Sequence, residues 1–352
     1  MEPVNGSKSR GNGIDPRRRR ALGVFTLSVA CVGAFTAFLN GSFLGAAQSS
    51  PSVTATSVQP SAEPRTVRVP VDHATIQQAI DASPDGSTIL VSPGLYRERV
   101  VLDGRSLHLL GMGGAGATQV VGDGSSQPIA WIRDGTNRIE GVTFEGGRGE
   151  TGRGASVQRG SNEFVGCRFI RNAGGVEATD ARVTFDGCDF TGNKASFAGG
   201  ALLARRSEAH FERCRIEANV ATTFGGGIGL MDGEATLQET AVVNNRVSSG
   251  AWGGGLYGDH ARVLVQGGAF EGNSSAESGP AAFLSGGSGT FRGVRFGENR
   301  SEGGWVVHGS EGVSLSLEGT QGETGRILTA DEAVVGDEVA LADTGEETTA
   351  AR

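Results

Sequence analysis

The sequence predicts an all-β solenoid of the parallel β-helix type, and three observations predict it. One pattern recurs six times between residues 164 and 299: an apolar residue, two spacers, a small residue, a spacer, an apolar residue, two spacers and asparagine. The copies read FVGCRFIRN, FDGCDFTGN, FERCRIEAN, LQETAVVNN, VQGGAFEGN and FRGVRFGEN, with closing asparagines Asn172, Asn193, Asn219, Asn245, Asn273 and Asn299 spaced 21, 26, 26, 28 and 26 residues apart. Within each copy apolar and polar residues alternate with a period of two, as in strands that face a core on one side. Between copies a Gly-Gly run with small or aliphatic residues returns, as GGALLA at 199–204, GGIGLM at 226–231 and GGLYG at 254–258. A period in the twenties with strand patterning marks units that bury their apolar faces only by stacking on one another.

The amino-terminal region comes first. Residues 1–20 are polar and basic and end in Arg17 to Arg20, and residues 21–39 carry no charge and are mostly apolar. Nineteen such residues suffice for a bilayer span, and the basic flank favours an amino terminus in the cytoplasm. Two readings of 21–47 stay open: an uncleaved transmembrane anchor, or a signal peptide cut near Gly45-Ala46-Ala47. Both place the repeats outside the cytoplasm. Residues 48–66 are rich in Ser, Thr, Pro and Ala and are expected to be a disordered linker. The β-helix domain is expected over 67–320, followed by an acidic, disordered tail at 321–352.

Residues 67–121 differ from the repeats. Asp72 or Thr75 can cap a short helix through Ile76, Ala79 and Ile80, which Pro84 and Gly86 end. Strands are expected at Ile89–Val91, Arg99–Leu102 and Ser106–Leu110. A helix ahead of strands suits a plug over the open end of the solenoid.

In each later repeat two short strands flank a bend, and the Gly-Gly run supplies a third after a tight corner. Stacking puts equivalent residues on ladders. Two are interior: Phe164, Phe185, Phe211, Leu237, Val265, Phe291, and Phe169, Phe190, Ile216, Val242, Phe270, Phe296. The asparagines form a third ladder at a corner, where their amides can bond one another and otherwise buried backbone groups. Asparagine also tolerates the left-handed conformation that a sharp corner needs. Cys167, Cys188 and Cys214 share one position with Thr240, Gly268 and Val294, which indicates small interior residues rather than a disulfide framework. The copy before the first clear one has Ile139, Val142 and Phe144, with Gly147 in place of asparagine. The solenoid is expected to have eight to nine coils.

The run TIQQAIDASPDGSTILVSPGLYRERVVL from Thr75, with SLHLLG after it, resembles the opening segment of right-handed parallel β-helix proteins of the pectin-lyase-like superfamily, the pectin methylesterases among them. The elements Gly199-Gly200-Ala201-Leu202 and Phe190-Thr191-Gly192-Asn193 resemble repeats of chlamydial polymorphic outer membrane proteins. Together these resemblances cover residues 67–317 and imply a right-handed single-chain helix. They imply less about activity, because the superfamily holds lyases, esterases, hydrolases and non-catalytic surface proteins.

Net charge is −8, with +4 in the first 47 residues and −12 in the rest. So acidic a domain is a poor partner for nucleic acid, and the repeats contain no run of basic residues. The esterase Gln-Asp-Thr element and the polygalacturonase Asp-Asp and Gly-His-Gly elements are missing from the sequence. No catalytic residue or cofactor is assigned. Of the outward positions, Arg168, Asp189 and Arg215 should alternate in charge at rung spacing, while Asp186 and Glu212 should be like-charged neighbours. That acidic pair is the candidate for holding calcium, weighed against a solvated face of weak ion pairs. His73, His108, His210, His260 and His308 share neither a coil position nor a ligand spacing. Trp131, Trp252, Trp305, Tyr96 and Tyr257 are scattered, and Trp252 with Tyr257 is the pair best placed to stack on a sugar. The sequence therefore points to a monomeric, non-catalytic rod outside the cytoplasm. Its role would be surface adhesion or glycan binding, with a polysaccharide or cell-surface partner. A carbohydrate-active lyase or esterase and a purely structural envelope protein are the alternatives.

Overall fold

The computed structural model describes residues 63–248, 252–310, 312–322 and 327–329. The expected span at 21–39, Cys31, residues 48–62 of the linker and the tail beyond 329 lie outside the described residues. No helix among the described residues is long and apolar enough to cross a membrane.

Strand alternation produces three sheets of nineteen, ten and three strands. Successive turns thread the wide and then the narrow sheet in the same order, and three of them also add a strand to the short one. One turn runs Leu202–Arg205 and Glu208–Glu212 in the wide sheet, Arg215–Glu217 in the narrow sheet, and Val220–Ala221 in the short one. Every rung is parallel to the next, with Phe185 opposite Phe211 and Phe190 opposite Ile216. The molecule is a right-handed parallel β-helix.

The described residues make about 10 turns, more than the eight to nine expected. The narrow-sheet strands Gly94–Arg97 and Thr118–Val121 belong to turns of their own although they carry no asparagine. The last strands, Gln321–Gly322 and Ile327–Thr329, lie beyond residue 320.

The helix α1 spans Ile76–Ala82 and buries Ile76, Ala79 and Ile80. Thr75 is its N-cap, with the Gln78 N–H donating to the Thr75 Oγ1 at 3.1 Å. Glu98 accepts from the Ile76 and Gln77 N–H groups at 3.0 and 2.9 Å, and Arg105 donates to the carbonyl of Ile80 at 2.9 Å. Acid at the amino end and base at the carboxyl end complement the helix dipole.

The corners are made by three columns of left-handed residues. One, within the wide sheet, holds Asp134, Arg159, Asp180, Arg206, Asp232 and His260. A second holds Gly166, Gly187, Arg213, Glu239, Gly267 and Gly293. The third holds Arg171, Gly192, Ala218, Asn244, Gly272 and Glu298, each one residue before a ladder asparagine. The ladder asparagines themselves are thus not the left-handed residues, contrary to expectation. Their side chains must point inward, and the residue before them makes the turn.

Inside, the asparagines bond as the sequence implies. Asn193 Nδ2 donates to the Phe169 carbonyl at 2.8 Å and to Asn219 Oδ1 at 2.9 Å, while Asn219 Oδ1 also accepts from the Asn193 N–H at 3.0 Å. At the worn end, Asn172 Oδ1 accepts from the Gly147 N–H at 2.9 Å. The phenylalanines stack along the axis, with centroids 5.3 Å apart for Phe164 and Phe185 and 4.9 Å for Phe169 and Phe190. Cys167, Cys188 and Cys214 are free and buried. Burial pushes the Cys188 thiol well above its ordinary pKa, the state of an inert interior thiol.

Candidate functional site

Asp186 and Glu212 are opposite one another in the wide sheet, as expected. Between them lies a cation that the strand pattern does not place. The Arg213 guanidinium bonds Asp186 at 2.6 Å and also pairs with Glu212. Arg213 occupies a left-handed corner between Gly187 of the turn before and Glu239 of the turn after, so its role could not be read from the alternation of strands.

Arg168, Asp189 and Arg215 are in register in the narrow sheet. Arg168 and Asp189 form a 3.3 Å ion pair. Arg215 turns instead to Glu217 of its own strand, at 2.7 Å, and holds that carboxyl below the usual glutamate range.

The outward face of the wide sheet carries a trough. Its floor is the column His108, Arg138, Glu163, Thr184, His210 and Thr236. Adjoining stretches enclose about 590, 280 and 450 Å³. In the first, Arg138 pairs with Glu140 at 3.2 Å and Glu163 at 2.5 Å, and His108 Nε2 lies 3.6 Å from Glu140. In the second, Arg182 and Glu208 pair at 2.5 Å along one edge.

The same sheet carries an aromatic strip on its other strand column. Outward positions there run Leu203, Gly229, Tyr257, Phe283 and His308. The preceding loops place Ala198, Phe224, Trp252 and Ser278 in a parallel row. Phe224 stacks on Trp252 at 5.8 Å and on Tyr257 at 4.6 Å. Phe283 stacks on Trp252 at 5.4 Å and on Tyr257 at 5.9 Å. Trp252 and Tyr257, the pair expected to be best placed to stack on a sugar, are joined through two phenylalanines that the sequence alone does not single out. Phe197 continues the strip edge-on and is 39% exposed, whereas Tyr257 and Phe283 are 7% exposed beneath the rim.

At the far end His308 meets Phe283 edge-on at 4.8 Å and bonds Ser278 at 2.5 Å. Burial lowers the pKa of this imidazole, which keeps it neutral against the rings. The column reaches the surface because each loop crosses back over its own strand at a left-handed glycine. A β-carbon on Gly225 would lie 2.2 Å from the Ile228 carbonyl.

The right-handed β-helix is also what comparison with known proteins finds. Residues 119–270 match the family model described as a right handed beta helix region. An alginate lyase from Paenibacillus is similar at 14% identity and a TM-score of 0.42, over 75% of this chain and 97% of that one. A pectin methylesterase mutant in complex with a hexasaccharide gives 13% and 0.37, over 76% and 93%. The pectin methylesterase of Aspergillus niger gives 15% and 0.38, over 78% and 91%. These likenesses concern the fold. No curated protein matches the chain.

Proposed function

We propose that this chain is a non-catalytic, extracytoplasmic β-helix protein that binds polysaccharide along its outer face in surface adhesion. The observation that carries the reading is the aromatic strip, rings from successive turns laid along the axis with Phe197, Phe224 and Trp252 at the rim. The exposed rim of the stack offers apolar area to sugar C–H groups, and the ordered rings lose little conformational entropy on binding. The basic flank and apolar run at 1–39 support the location. The test is a glycan array with the full chain and its Phe224→Ala/Trp252→Ala variant. The reading expects binding that the variant loses about tenfold or more; equal binding by both refutes it.

One observation favours the lyase or esterase alternative. His108, Arg138 and Glu163 line a groove of about 590 Å³, where Arg138 and Glu163 pair at 2.5 Å, an arrangement with both a base and an acid within reach of one ligand. Release of product from an acidic polysaccharide, abolished in His108→Ala, would establish it.

A further inference from the structure

The geometry points to an anion-binding groove on this acidic chain, and we propose that it takes the sulfate or phosphate esters of a glycan. Arg97, Arg148 and Arg171 line one groove of about 500 Å³ where the narrow sheet turns its corner. Arg171 is shared with an adjoining groove of about 290 Å³ that adds Lys194. These four cations come from four different turns, so no basic run marks them in the sequence.

Elsewhere on the solenoid most arginines are matched to a carboxylate. Here Arg97, Arg148 and Lys194 have no ion-pair partner among the described residues. The two carboxylates in the groove are engaged: Glu145 pairs with Arg171, and Asp123 accepts from the Ser125 N–H within its own loop at 2.8 Å. Two guanidinium forks therefore face the groove with their donors free, the geometry that matches tetrahedral oxyanions.

The groove is also built rather than incidental. The loop at 146–154 carries Arg148 and docks on the loop at 122–128, where the Thr151 hydroxyl donates to the Ser126 carbonyl. The chain is drawn tight behind Arg148, since a β-carbon on Gly152 would lie 1.9 Å from the Arg148 carbonyl. The asparagine ladder stops at this corner. Gly147 stands where an amide would fill the space, and Asn172 closes the ladder from below. None of these residues belongs to the aromatic strip, so the site stands whether or not the strip binds sugar.

The experiment is calorimetric titration of the full chain with dextran sulfate, phosphomannan, polygalacturonate and single-stranded DNA at several salt concentrations. Two variants are compared: Arg97→Gln/Arg148→Gln in the groove, and Arg246→Gln/Arg300→Gln as an equal charge change elsewhere. Binding of dextran sulfate or phosphomannan is expected, weakened about tenfold and with a shallower salt dependence only in the groove variant. The tighter of the two names the ester. Three results would overturn the proposal: no binding of either ester, equal loss in both variants, or polygalacturonate or DNA binding as tightly as the esters.

Discussion

At the residue scale the fold relies on a ladder of buried asparagines bonded to one another and to the backbone. Asn219 shows the dependence most directly. Its Oδ1 serves two donors of Asn193, and its Nδ2 serves the Phe190 carbonyl and Asn245. Asn219→Ala strands several of these in the interior and should destabilise by about 2–4 kcal/mol. Asn299→Ala, at the partly buried end of the ladder, should cost clearly less; urea unfolding of the two variants checks the order. Arg153 is a second case, with its side chain 10% exposed and bonded to Glu177 at 2.5 Å. Glu177→Ala leaves that cation with the Ala173 carbonyl and should cost about 2 kcal/mol by the same measurement.

Arg159 beside Asp134, and Arg206 beside Asp180, hold the two carboxyls below the ordinary 3.8. A depressed folded-state pKa adds stability above the unfolded value and loses it as pH falls through the folded value. The melting temperature should therefore drop below about pH 4, and the drop should be shallower in Asp134→Asn/Asp180→Asn.

At the element scale the strands and ladders were legible in the sequence because a period of two survives any change of side chain. Phe164, Phe185 and Phe211 could be aligned by eye, and the register agrees. The corners were not legible. Asp134, Arg159, Asp180, Arg206 and Asp232 form a column of alternating charge, but each is a single residue between strands with no pattern of its own. The aromatic strip was hidden for a related reason. Its rings come from two chain positions per turn, one in a loop and one in a strand, and the residue type changes from turn to turn. Two glycines separate the kinds of corner. At Gly187 a β-carbon meets nothing within 4 Å, so Gly187→Ala should cost only the left-handed penalty of about 1–2 kcal/mol. Gly225→Ala adds a clash with the Ile228 carbonyl and should cost more, with loss of the Phe224 stack visible in near-ultraviolet circular dichroism.

At the scale of the whole molecule each turn touches only its neighbours, so stability is a sum of local interfaces. The sequence could fix that architecture but not the use of its surface, because the outward columns are free to vary once the inward ones are set. Arg97, Arg148 and Arg171 meet only after four turns are stacked, and Arg213 meets Asp186 only across a rung. Under the proposed function this surface holds a polysaccharide without altering it. The most direct measurement incubates the glycan selected by the array with saturating protein, then follows its chain length, ester content and unsaturated ends by size-exclusion chromatography and mass spectrometry. A polymer unchanged after prolonged binding is expected. Shortened, unsaturated or de-esterified product that depends on His108 would contradict it.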